Sequence, residues 1–314
     1  MKPSSALTSL LLVMLSATFV RADEINPSAL VEQLDAPEFA ARDRAERALI
    51  ERGETALPIV EKAARSKSPE VALRAKRIVR TVRHQALLTE FTKLSQATDD
   101  RQFDLETGLY LVARIDHPAL DRKSLNQRLD ALADEVRTQA KLIAGRRPAT
   151  PLELVDATRH VLFEKHNFRG NETTYNDPAN SSIDRVLVTQ RGLPILLSQL
   201  TIAVGRRAGV RLQGLALPGR YMVWYQPPPG KAGDERIIDA FDGGKVLSRD
   251  DLEDLLASFG SGFDQRADLV AASNRETLTR VLRNLIRHNF EAGRDELATD
   301  CEAYEAILIA YDSQ

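Results

Sequence analysis

The sequence predicts a mostly helical α+β protein with a small antiparallel sheet, and three observations point there. Aromatic residues make up only 5% of the 314 residues, while hydrophobic residues are 43% and charged residues 28%, ordinary usage for a globular chain. Apolar residues recur at helical spacing over residues 27–163 and again over 274–311. Between those stretches three short β-prone runs stand out, at 211–217, 221–225 and 236–239.

The first residues read as a targeting segment. Lys2 precedes an apolar run from Ala6 to Val20, and Val20-Arg21-Ala22 offers a cleavage site, so residues 1–22 are expected to form a signal peptide. Export to a periplasm or beyond follows as an expectation, with an uncleaved anchor as the alternative. The run is short for a membrane span, so no integral membrane association is expected after cleavage. The formal charge is −2, and losing Lys2 and Arg21 makes the chain more acidic. That balance argues against nucleic acid, which demands a clustered positive surface. Cys301 is the lone cysteine, so stability must come from packing rather than a disulfide, and no thiolate zinc pattern exists. The sequence calls for no cofactor and no metal.

Residues 27–84 predict two helix pairs. Ala41, Ala45, Ala48 and Leu49 share one face of a helix that stops near Gly53, and Leu57, Val60 and Ala63 mark the next. Ser68-Pro69-Glu70 opens another, with Ser68 placed to cap and Pro69 at the first helical position. Val71, Ala75, Ile78 and Val82 follow as a helical stripe. The series Leu34, Phe39, Arg42, Ala45, Leu49, Gly53, Ala56, Pro58 and Pro69-Glu70-Val71 resembles a HEAT-like repeat. The resemblance implies a helical unit over 27–85 that binds a protein partner or caps its neighbour.

Helices continue over 86–143, where Leu105, Leu109, Val112 and Ala113 form one stripe and Leu125, Leu129, Leu132 and Val136 another. Gly145 to Pro151 breaks the chain, and Thr150-Pro151 opens a helix expected to reach Phe163. Phe168 to Asn180 is a polar loop. Ser181-Ser182-Ile183-Asp184 has capping-box spacing and predicts a short helix to about Val188. Pro194 then precedes Ile195, Leu196, Leu197, Leu200, Ile202, Ala203 and Val204, a helix with little polar surface that should be buried. Arg206-Arg207 and Gly209 supply its stop. The loop 226–235, with three prolines, should join the second and third strands as an antiparallel hairpin, and helices should return at 249–258 and 274–311.

Several strings together carry a second resemblance. They are Leu162-Phe163, Phe168-Arg169-Gly170-Asn171, Tyr175, Asp177-Pro178, Asn180-Ser181, Val186-Leu187, Arg191-Gly192-Leu193-Pro194-Ile195, Leu217-Pro218-Gly219 and Asp239-Ala240-Phe241-Asp242-Gly243-Gly244. They resemble the SirB-type transglutaminase-like family, whose members often run into tetratricopeptide-like repeats. The resemblance covers about residues 90–310 and divides the chain into a lead-in at 86–166, an α+β core at 167–262 and C-terminal helices at 263–314.

The resemblance implies a papain-like core, with a cysteine at the start of a buried helix and a histidine and an acid on neighbouring strands. There a helix N-terminus favours a thiolate, the histidine handles its proton, and the acid fixes the tautomer. On this alignment the cysteine position falls at or next to Pro194, the histidine position at Arg220, and the acid at Asp239. Arg220 stays charged and cannot act as a base, but it can pair bidentately with Asp239 or offer its charge to a ligand carboxylate. Asn171, Tyr175, Asp177, Asn180, Pro194, Arg220 and Asp239 are therefore the residues expected to line or support a degenerate cleft. The Asn171–Asn180 loop can equally be structural, its polar side chains satisfying backbone groups.

Other groups offer no obvious substitute. Ser198 lies one turn into the buried helix, Cys301 sits in a helix with Tyr304, Ile307 and Leu308, and His160 and His166 alone make a poor metal site. The expectation is a non-catalytic binding or scaffolding protein with a protein or peptide partner. The two alternatives are a hydrolase or amide-transfer enzyme with another nucleophile, and an adaptor acting through the N-terminal helical arm.

Overall fold

The computed structural model describes residues 26–262 and 269–312. The expected signal peptide lies outside the described residues. The chain divides into two compact units, residues 1–86 and 87–314.

The first unit holds α1 (Pro27–Gln33), α2 (Phe39–Glu51), α3 (Leu57–Ala63) and the start of α4 (Pro69–Ser95). Asn26 caps α1 by accepting from the Ser28 N–H at 2.9 Å. Leu30, Leu34, Leu49, Val60, Ile78 and Val82 bury the inward faces of these helices. Glu46 is buried among them and accepts from Arg74 at 2.5 Å and Arg77 at 3.3 Å. The stripe read as far as Val82 belongs to a longer helix, because Leu87 and Phe91 prolong its buried face.

The larger unit continues with α5 (Leu105–Asp116), α6 (Arg122–Ala144) and α7 (Pro151–Arg159), the last opened by a capping box between Thr150 and Glu153. The helix expected to reach Phe163 ends as an α-helix at Arg159 and widens into a π-turn over His160–Lys165. There the His166 N–H reaches the Val161 carbonyl and the Phe168 N–H reaches the Leu162 carbonyl, both at 3.0 Å. The short helix α8 (Ile183–Thr189) follows, but Ser181 is not its cap. Ser182 holds the cap position, and its hydroxyl donates to Asp184 at 2.5 Å instead of accepting from the first turn.

α9 (Pro194–Ala208) is the central helix, with Pro194 at its first position and Gly209 closing it at φ 104°. All but a few of its residues are buried. Two-residue strands β1 (Arg169–Gly170) and β2 (Arg191–Gly192) pair in parallel just before it. The main sheet is antiparallel, in the order β3 (Gln213–Leu217), β4 (Arg220–Tyr225), β5 (Arg236–Asp239), β6 (Lys245–Leu247). After Arg220, β4 is buried throughout because both faces of the sheet are covered. Tyr221, Val223 and Tyr225 join the main core with α9, while Met222 and Trp224 pack with Leu252 and Leu256 of α10 (Arg249–Ser258). α11 (Asn274–Glu291) and α12 (Asp295–Asp312) close the unit, separated by a turn at Gly293, whose φ is +68°. No helix among the described residues is long and apolar enough to cross a membrane.

Candidate functional site

Three backbone connections assemble the site around the start of α9. The Asn171 N–H donates to the Gly192 carbonyl at 3.3 Å, the Leu193 N–H to the Asn180 carbonyl at 3.2 Å, and the Gly170 N–H to the Phe241 carbonyl at 2.8 Å. The polar loop therefore brackets the residues just before Pro194, and β1 carries the turn after β5 beside them. That close approach explains Gly170, where any Cβ would run into the Phe241 ring.

Asp239 ends β5, almost fully buried. Its Oδ1 accepts from the backbone N–H groups of Phe241 at 2.9 Å and Asp242 at 3.2 Å. Its Oδ2 lies 3.4 Å from Arg220 Nε. Burial pushes its carboxyl above the usual range, while the Arg220 charge and the two backbone donors pull the other way. The pair is not the bidentate fork that the sequence allowed. One oxygen belongs to the turn, and Arg220 Nε, itself buried, forms no well-directed hydrogen bond. The guanidinium instead stacks over the Phe241 ring, 4.8 Å from its centroid.

The loop side chains largely serve the loop. Asn180 donates to the carbonyls of Thr174 at 2.6 Å and Tyr175 at 3.1 Å, and accepts from Asn171 at 3.0 Å. Asn171 also accepts from the Thr174 N–H at 3.1 Å, and Asp177 caps the following turn through the Ala179 N–H at 2.9 Å. Tyr175 differs. It is partly exposed, and its ring meets Phe241 edge-on at 6.0 Å and His288 edge-on at 6.2 Å.

His288 is a site residue that sequence reasoning missed. It lies on α11, wholly buried, with Nδ1 lacking a partner and Nε2 3.1 Å from Arg287. Burial and the Arg287 charge hold its pKa below the usual imidazole value. The signal was present in the spacing of Leu278, Val281, Leu285 and His288, which puts an imidazole on the buried stripe of the helix. Arg280, also on α11, reaches the carbonyl oxygens of Leu217 at 3.3 Å and Arg220 at 3.3 Å, holding the turn that presents Arg220.

The remaining nucleophile and ligand candidates are engaged elsewhere. The Ser198 hydroxyl is fully buried and donates to the Tyr221 carbonyl at 3.2 Å. Cys301 is fully buried, and burial pushes its thiol up to about 12. His160 pairs with Glu164 at 2.7 Å and His166 with Glu135 at 2.8 Å. No group of three or more His, Cys, Asp or Glu residues is placed to hold a metal ion among the described residues.

The start of α9, the parallel β1–β2 pair before it and the buried acid that ends β5 make up this site. A family model described as the transglutaminase-like superfamily matches residues 123–283. The chain belongs to that superfamily. A UPF0162 protein of Xylella fastidiosa (strain Temecula1 / ATCC 700964) is 31% identical over 229 residues, covering 71% of this chain and 77% of that protein. F-box only protein 21 of Homo sapiens is 26% identical over 244 residues, covering 71% of this chain and 38% of that protein. No solved structure matches the chain with significance. In this transglutaminase-like domain the start of α9 carries Pro194, with no thiol, and the strand residue facing the acid is Arg220.

Proposed function

We propose that this transglutaminase-like domain is an exported binding or scaffolding protein of SirB type that no longer turns over substrate, and that its cleft holds a ligand or peptide. The observation that carries this is the pairing of Arg220 with Asp239. An arginine cannot take a proton at neutral pH, so the acid here steadies a fixed positive charge instead of an imidazole. Such a charge, stacked on Phe241 and next to the half-open Tyr175, suits a carboxylate-bearing ligand. Residues 27–85 are proposed as a HEAT-like arm for a protein partner, and residues 1–22 as the signal that directs export.

One observation favours a second reading. His288 has a buried Nδ1 without a partner and lies beside Tyr175, and it supports an enzyme that performs acid–base chemistry in the cleft without a thiol. A broad amide and peptide hydrolysis assay on the full chain separates the two. No turnover above buffer, together with peptide binding that is lost in Arg220→Ala, supports the binding role. Turnover abolished by Asp239→Ala, Ser198→Ala or His288→Ala sinks it. Fractionation of the expressing cell tests export, and binding measured with and without residues 27–84 tests the arm.

A further inference from the structure

A cavity of about 590 Å³ opens in the larger unit between α9, the start of β3 and the start of α11. That volume is in the range of small-molecule sites. Its floor is a buried polar relay. The Gln199 amide donates to the Tyr221 hydroxyl at 3.1 Å, the Tyr221 hydroxyl meets the Thr277 hydroxyl at 2.8 Å, and Thr277 donates to the Ser273 carbonyl at 2.7 Å. Because the Thr277 proton goes to Ser273, Tyr221 must donate to Thr277, and the direction of the chain is fixed. Gln199 is thereby locked in one orientation. Its carbonyl oxygen and second N–H have no other partner among the described residues, although the residue is nine-tenths or more buried.

The rest of the lining has one sign of charge in excess. Arg101 and Arg211 reach the cavity with no acid partner among the described residues, whereas Arg206 is paired with Glu106. Asp100 is the lining acid, and its carboxylate caps α11 through the backbone N–H groups of Asn274 at 2.6 Å and Arg275 at 3.4 Å. Ile202 and Leu212 supply apolar wall.

We propose that this cavity binds a small organic anion, whose apolar body lies against Ile202 and Leu212, whose charge faces Arg101 and Arg211, and whose polar edge meets Gln199. The site is separate from the Arg220–Asp239 cleft and does not depend on what that cleft does.

The probe is 8-anilinonaphthalene-1-sulfonate, an organic anion with an apolar body, titrated against the full chain by fluorescence. Its uncharged counterpart, N-phenyl-1-naphthylamine, is the control. The expected result is saturable binding of one sulfonate per chain, weakened roughly tenfold by Arg101→Ala with Arg211→Ala, the loss of about 1.4 kcal/mol. The uncharged control should not respond to that pair. Ile202→Trp should crowd the apolar wall where the anion's body lies and weaken binding with both charges kept, while Arg220→Ala should leave it unchanged. Arg101 and Arg211 are exposed, so their replacement keeps the fold even where Ile202→Trp does not. Absence of saturable binding, an affinity indifferent to the double arginine variant, or loss of binding in Arg220→Ala overturns the proposal.

Discussion

Arg220 Nε and Asp239 Oδ2 stand 3.4 Å apart, yet the better-made bonds of that carboxylate run to its own turn. The ion pair is thus one support of a buried charge whose other supports are the backbone N–H groups of Phe241 and Asp242. Burial raises the Asp239 pKa in the fold above its unfolded value. The protonated form is therefore favoured by folding, and that contribution is full below the usual carboxylate range and lost as pH rises through the folded value.

Arg220→Ala removes the attraction that offsets burial, so it should destabilise at neutral pH by about 1–3 kcal/mol. The loss should shrink as pH falls and Asp239 takes a proton. Adding Asp239→Asn to Arg220→Ala should restore part of the stability at pH 7, because the charge left unpaired is gone. Urea unfolding of the unaltered chain and the two variants at neutral and acid pH checks this. An equal loss at both pH values would mean that Arg220 acts through its packing on Phe241 alone.

His288 carries the opposite sign. Its folded pKa is lowered, so it contributes stability above the ordinary imidazole value that is lost as pH falls below it through the folded one. The imidazole should stay neutral to a lower pH than a free imidazole does, which its ring proton shifts would report in NMR. His288→Leu should reduce the slope of stability just below the ordinary imidazole value, since a group whose neutral form folding favours is gone. At neutral pH its cost should stay under about 1.5 kcal/mol, because an unpaired buried nitrogen leaves with the ring.

The backbone frame of the site was legible because its signals are local. Pro194 and Gly209 mark the two ends of α9, and the largely apolar run between them shows that it is central. The β4–β5 hairpin was equally plain, since β-prone runs flank a proline-rich loop. What the sequence hid depends on partners far along the chain. β6 has only three residues, too few for alternation to show, and exists because β5 offers it an edge. The π-turn at His160–Lys165 forms where the chain must swing from α7 into β1, and no residue type announces it. His288 joins Tyr175 across more than a hundred residues, and a motif that ends near Gly244 cannot point to it.

The turn that follows Asp239 gives a packing test with an internal control. Gly243 and Gly244 both have positive φ, +57° and +75°. A Cβ at Gly243 meets nothing within 4 Å, whereas one at Gly244 would run into the Phe163 ring. Gly243→Ala should therefore cost only the backbone strain, about 1 kcal/mol. Gly244→Ala should cost that and a further 1–3 kcal/mol, roughly, for overpacking against Phe163. Denaturant midpoints of the two variants give the difference directly. Because the Gly244 N–H also donates to the Asp239 carbonyl at 2.9 Å, ligand binding in the cleft should weaken with Gly244→Ala and not with Gly243→Ala.

Cys301 decides whether a thiol can serve this domain by another route. The side chain has no exposed surface, sits in the main core near Tyr304 and Leu308, and its pKa is pushed up to about 12 by burial. At pH 8 the thiolate fraction is then negligible, and a thiol reagent must wait for the helix to open. The native chain should leave an aromatic disulfide reagent uncoloured on the timescale of minutes, and react in full once unfolded in guanidinium. Cys301→Ala should cost about 1–2 kcal/mol for the small cavity it leaves and should not alter binding or turnover at the cleft. Rapid labelling of the folded chain, or a loss of cleft function in Cys301→Ala without loss of fold, would return the thiol to consideration. With Ser198 tied to the Tyr221 carbonyl, His288 and Asp239 are the groups left to test for acid–base chemistry at the cleft.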